Sequence, residues 1–150
     1  MDVLASALAH EKEAVNLYRY LAEEASLTSL KRLFLALLRD EQKHLERLSG
    51  FNATLEDSGD CKPEDREFSR FFPQIVEDRG IEGLCREEVH FYREVMECER
   101  NGISRYRNYL SNTHDEKSKK LLTEIMLQER IHFDVVKELC VFISEQQSSK

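Results

Sequence analysis

The chain has 150 residues, 41% of them hydrophobic and 34% charged, with a formal net charge of −7. That length supports a single domain over residues 1–150 with a real core, and the acidic balance argues against nucleic acid as a partner. No apolar run approaches membrane-spanning length, and Met1-Asp2-Val3 has neither the basic start nor the cleavage site of a signal peptide.

Five glycines and two prolines leave room for long helices. The four cysteines, Cys61, Cys85, Cys98 and Cys140, form no Cys-x-x-Cys, which removes a rubredoxin-type or zinc-ribbon module. Scattered cysteines read as reduced thiols in a cytoplasmic protein.

In chain order, residues 2–24 predict a first helix. Leu4, Leu8, Glu11, Val15, Tyr18 and Ala22 recur at three- and four-residue steps and share one face. Glu11 stands in the middle of this apolar stripe, where a free charge is costly. Ser26-Leu27-Thr28 reads as a short connection, with Thr28 capping a second helix over 29–49 that Gly50 ends. Leu33-Phe34-Leu35-Ala36-Leu37-Leu38 is apolar nearly all round, so this helix must bury more than one face. The surplus face predicts cover from the following segment or self-association, most simply a two-fold homodimer.

Residues 51–85 are the least patterned. Asn52, Asp57-Ser58-Gly59-Asp60 and Pro63 are turn signals, and Pro63 can open a short helix that runs through Phe72 and ends at Pro73. The stretch reads as a long crossover of the kind found in some four-helix bundles. A third helix follows over 87–111, with Tyr92, Met96, Glu99, Ile103, Tyr106 and Leu110 on one face. Asn112-Thr113-His114-Asp115 is a turn. The fourth helix covers 116–145, with Leu122, Ile125, Glu129, His132, Val136 and Leu139 inward.

Two stretches in this series are copies. Glu41-x-x-His44 and Glu129-x-x-His132 each place a carboxylate and an imidazole side by side on a helix. Glu11 lies 30 positions before Glu41, and Glu99 lies 30 before Glu129, so the sets are offset by 88 throughout. Tyr18 and Tyr106 follow the first glutamates by seven positions, and the small residues Ala14 and Gly102 by three. Glu87-x-x-His90 shares the spacing but fails the repeat, because Asp57 stands 30 positions earlier in the loop-like stretch. Glu11 and Glu41 are equidistant from the first turn, and Glu99 and Glu129 from the second. Each pair therefore lies level across its hairpin, and pairing the hairpins gathers four carboxylates and two imidazoles at one height.

Four buried carboxylates repel one another unless cations sit among them. Two divalent ions match their charge with neutral histidines, and imidazole shifts the preference from hard ions toward iron, with zinc or manganese also admissible.

Glu11, Glu41-x-x-His44, Glu99 and Glu129-x-x-His132, with Tyr18 and Tyr106, resemble the rubrerythrins of the ferritin-like di-iron superfamily. The resemblance covers nearly the whole chain except the crossover. It implies an all-α, ferritin-like four-helix bundle of two duplicated hairpins holding two iron ions. Glu41 and Glu129 would bridge the metals, with Glu11, Glu99, His44 and His132 as terminal ligands. The tyrosines read either as core aromatics or as hydroxyls bonded to ligand carboxylates.

Typical rubrerythrins carry a C-terminal rubredoxin domain, which this cysteine pattern lacks. The expected electron source is a separate, rubredoxin-like donor protein. They also carry an additional glutamate one turn after the third helix's first ligand, to which a peroxide-linked ligand exchange is attributed. Gly102 stands there instead. It reads either as relief of crowding by opposing carboxylates or as an open coordination position through which small oxidants enter. His10 points about a third of a turn from Glu11 and reads as a surface histidine. Cys98 should face off-site, and His90 and His114 have no assigned role.

The function this implies is a non-haem di-iron oxidoreductase. It would oxidise Fe(II) with peroxide or dioxygen, in a peroxide-reducing role in oxidative-stress defence. A ferroxidase would use the same centre with iron as substrate. A non-catalytic metal-binding or sensing protein is the reading of another class.

Overall fold

The computed structural model describes residues 2–54 and 86–148. Among them the chain forms α1 (Val3–Glu24), α2 (Thr28–Thr54), α3 (Arg86–Ser111) and α4 (Glu116–Ser148), with no strand. The architecture is an all-α four-helix bundle made of two antiparallel hairpins, α1–α2 and α3–α4.

Local chemistry sets the ends. The Asp2 carboxylate accepts the backbone N–H groups of Leu4 and Ala5 at 3.0 and 3.3 Å, which caps α1. The Asp115 carboxylate accepts from the Ser118 N–H at 2.9 Å and starts α4 in the same way. At α2 the first helical carbonyl belongs to Leu27, which accepts from Lys31 N–H at 3.0 Å. Thr28 is therefore inside the helix rather than its cap. Gly50 does not end α2 either. The helix runs through it to Thr54, and among the described residues no atom lies within 4 Å of where a Cβ would stand on Gly50. A glycine there weakens the helix by up to ~1 kcal/mol without supplying a stop.

The hairpins meet with α1 antiparallel to α3 and α2 antiparallel to α4. The Tyr20 ring meets Phe91 while His10 meets Tyr106, and His44 meets Gln128 while Arg47 meets Glu124. The crossover and the short helix expected after Pro63 lie outside the described residues.

Leu33, Phe34, Leu37 and Leu38 are all buried in the bundle's own core. What remains of the surplus apolar face on α2 is Leu35, 38% exposed, and the half-buried Ala36. Those four side chains pack inside the bundle because α2 contacts both α1 and α4.

Two apolar clusters fill the bundle. The larger lies toward the α1–α2 turn and includes Leu21, Leu30, Leu33, Phe34, Tyr92, Val136, Leu139 and Ile143. The smaller lies toward the α3–α4 turn and includes Ala7, Leu48, Tyr109, Leu121, Leu122 and Ile125. Each fully buried side chain of this size contributes roughly 1.5–3 kcal/mol. Between the clusters runs a layer of buried polar residues. Among the described residues no helix is long and apolar enough to cross a membrane.

Candidate metal centre

The polar layer is made of Glu11, Glu41, His44, Glu99, Glu129 and His132, one or two from each helix. Glu11, Glu41, His44 and His132 are fully buried, and Glu99 and Glu129 are 5% and 1% exposed. Their helices carry them inward on the same stripes as buried apolar residues one turn away, such as Ala7, Leu37, Val95 and Ile125, so the packing that forms the core also forces the charges into it.

Six side chains resolve into two overlapping groups. Glu11, Glu41, His44 and Glu129 each offer one donor atom, and these atoms all lie within 4.8 Å of one another. Glu41, Glu99, Glu129 and His132 do the same within that distance. Glu41 and Glu129 belong to both groups, whereas Glu11 with His44 and Glu99 with His132 belong to one each.

Both imidazoles turn Nδ1 toward the carboxylates. His44 Nδ1 lies 3.2 Å from Glu129 Oε1, 3.3 Å from Glu41 Oε2 and 3.6 Å from Glu11 Oε2. His132 Nδ1 lies 2.8 Å from Glu41 Oε1 and 3.9 Å from Glu129 Oε2. The two rings stack with centroids 5.9 Å apart at 21°.

Glu99 and Glu11 are each held by a tyrosine of the opposite hairpin. The Tyr18 hydroxyl donates to Glu99, and the Tyr106 hydroxyl donates to Glu11. Burial, followed by the charge of the partner glutamate, pushes both phenols well above their ordinary value, so they stay protonated and act as donors. Burial and the neighbouring Glu129 and Glu41 hold Glu99 well above the usual carboxylate range. Burial alone would lower the His132 imidazole. Hydrogen bonds to Asp40 and Glu41 and the nearby carboxylates outweigh it and hold the ring well above its ordinary value.

Residue-by-residue reading of the sequence misses two partners. Asp40 accepts from His132 Nε2 at 3.0 Å, and the Gln128 amide oxygen meets His44 Nε2. Each immediately precedes the glutamate of one Glu-x-x-His and reaches the histidine of the other. The available signal is that Asp40 and Gln128 occupy the same place in the repeat.

Gly102 also differs from expectation. A Cβ on it would stand 2.8 Å from His10 Nε2 and 3.0 Å from His10 Cε1, with no carboxylate atom within 4 Å. The space is neither an open coordination position nor crowded by glutamates, because the His10 imidazole fills it. His10 is thus only partly exposed. It is half-buried, edge-on to Tyr106 at 5.6 Å, with Arg105 Nη1 3.2 Å from its Nδ1. Open space lies nearby instead, in a cleft of about 280 Å³ between α1 and α3 lined by His10, Ala14, Leu17, Cys98, Glu99 and Arg105 among others. Cys98 is exposed, His114 is exposed, and His90 pairs with Glu94 at 3.1 Å on the surface.

The donor set fits a pair of cations. Among the described residues Glu11 Oε2 and Glu41 Oε2 are buried with no hydrogen-bond donor. Leaving such oxygens uncompensated costs several kcal/mol in total at ~1–3 kcal/mol each, which cations among them would offset. Oxygen donors with one imidazole on each side suit iron and similar metals. The rubrerythrin family profile matches residues 2–140. The chain belongs to the rubrerythrin family. No protein of curated function and no solved structure matches it. Within this rubrerythrin-family domain the buried Glu/His cluster is compatible with a di-iron site.

Proposed function

We propose that this chain is a non-haem di-iron oxidoreductase that reduces peroxide, or dioxygen, with electrons returned by a separate donor protein. The observation that carries the reading is the overlap of the two four-residue groups at Glu41 and Glu129. Two metals would account for that overlap, with Glu41 and Glu129 available to both and a further glutamate and histidine for each. Glu11 and His44 would complete one metal's set, and Glu99 and His132 the other's.

When bound, two ferrous ions supply the two electrons that reduce peroxide to water. The chain does the rest. Tyr18 and Tyr106 fix the orientation of Glu99 and Glu11 through hydroxyl donors that keep their protons. Asp40 and Gln128 fix the two rings so that Nδ1 faces inward. The apolar clusters on either side exclude bulk water from the layer. The cleft of about 280 Å³ lined by Ala14 and Glu99 has the volume to admit a small oxidant.

The test is anaerobic loading with two equivalents of Fe(II), then separate rapid mixing with peroxide and with dioxygen. Fast oxidation by peroxide with slow oxidation by dioxygen is expected. Release of iron after each turnover, or mineral growth with excess iron, would make iron the substrate and the protein a ferroxidase. No redox change with either oxidant would leave a structural or sensing metal site.

A further inference from the structure

Asp40 and Gln128 are the same position of the repeat, and they do the same thing with different chemistry. Each reaches from one hairpin to the outer nitrogen of the other hairpin's histidine. Gln128 is buried, and the Asp40 side chain is 26% exposed. The histidine that would sit beside Glu99 thus leans on a carboxylate, and the histidine beside Glu11 on a neutral amide.

An anionic acceptor draws the Nε2 proton toward itself and leaves more electron density on Nδ1, the nitrogen that faces the glutamates. Hydrogen bonds to ionised groups are about twice as strong as neutral ones, and such outer partners change metal affinity by roughly 10–100-fold. One turn beyond His44 stands Arg47, but its charge is balanced by Glu124 at 2.8 Å, and its repeat partner beyond His132 is the apolar Val135. The charge difference between the two sides therefore rests on the partly buried Asp40 carboxylate against the neutral Gln128 amide.

We propose that Asp40 and Gln128 are positioning residues that make the two metal positions unequal, so that the Glu99–His132 position fills first and holds its ion more tightly. This rests on the di-metal reading above and adds an order to it. The charge difference acts through the rings, so it applies to any divalent ion that takes imidazole.

The test uses the full metal-free chain, zinc as a diamagnetic probe, and nitrogen NMR of the labelled histidine rings, with calorimetry in parallel. At one equivalent of zinc the His132 ring should shift to its bound position while His44 stays put. The two binding steps should differ by about 10-fold or more. Asp40→Asn should close that gap. The double swap Asp40→Asn with Gln128→Glu, which leaves the net charge unchanged, should reverse the order so that His44 responds first. Two zinc ions bound with both rings shifting together in the wild type would overturn the inference and leave the di-metal reading standing. A folded swap that keeps the original order would also overturn it. Failure of the wild type to bind zinc at all would overturn both.

Discussion

In each hairpin a first-helix glutamate, a tyrosine seven positions on and a Glu-x-x-His reach the same buried layer, and their counterparts lie 88 positions away. One step out from the layer the hairpins part. Where α2 has Asp40, α4 has Gln128; where α1 has His10 and Ala14, α3 has Cys98 and Gly102. His10 lies half-buried against Gly102, whereas Cys98 is exposed beside the cleft that Ala14 lines. The inner positions share a single constraint. Every buried carboxylate there needs a compensating donor or cation, and the same side chains answer that need in both copies. The outer positions carry no such shared demand, so they are free to differ.

The largest effect should come from breaking the inner likeness. Glu41→Ala and Glu129→Ala should each strip most of the roughly two metal ions from the protein, to the same extent, because each serves both groups. Glu13→Ala, exposed on α1, should keep its metal. Metal analysis after gel filtration measures this. Full retention in the first two variants would remove the shared role.

The metal-free protein should lose stability as pH rises. Glu99 is raised from its ordinary value of 4.5 and His132 from 6.5, so each contributes stability that is present below that value. Both contributions are lost as pH climbs through the raised values. Asp40 works in the opposite sense, but its pKa is lowered from 3.8, so its loss comes only in more acidic solution. Melting temperatures of metal-free protein should therefore fall between about pH 5 and 8. Glu99→Gln should flatten the acidic part of that fall. A melting temperature that climbed across the range would contradict the raised values.

Tyr18→Phe and Tyr106→Phe compare the hairpins directly. Each removes a hydroxyl from a buried carboxylate and should destabilise by roughly 1–3 kcal/mol in urea unfolding of the metal-free protein. Similar losses are expected, and a loss in one variant alone would show that only one of the two contacts matters.

The smallest effect concerns an outer difference. Gly102→Ala gains up to ~1 kcal/mol of helix propensity but must displace the His10 ring, so the net change should be near zero. In a His10→Ala background the same substitution should recover most of that gain. Equal effects in both backgrounds would show that His10 does not crowd the site.

Much of this was legible in the sequence, and what escaped it has a common cause. Three- and four-residue periodicity places Glu11, Glu99 and Glu129 on inward stripes, and the turn midpoints set which residues lie level within a hairpin. Neither says how one hairpin lies against the other. Asp40, Gln128 and His10 all act across that second interface. A third of a turn from the inward face is solvent on an isolated hairpin, yet it is the α1–α3 contact in the bundle, and that is where His10 lies. Gly50 escaped for a different reason. A helix long enough on both sides of a glycine can absorb its cost, and α2 runs on from Gly50 to Thr54.

The crossed contacts carry a consequence for symmetry. Tyr18 meets Glu99 as Tyr106 meets Glu11, and position 40 meets His132 as position 128 meets His44. Each of these links is thus half of an exchanged pair related by a pseudo-two-fold axis. Two identical copies of either hairpin would meet the same geometric demands by simple rotation, as self-complementary interfaces do. Carrying both halves in one chain removes the requirement of identity. Position 40 can then be anionic while position 128 is not, a polarity across the axis that no strictly symmetric pair can hold.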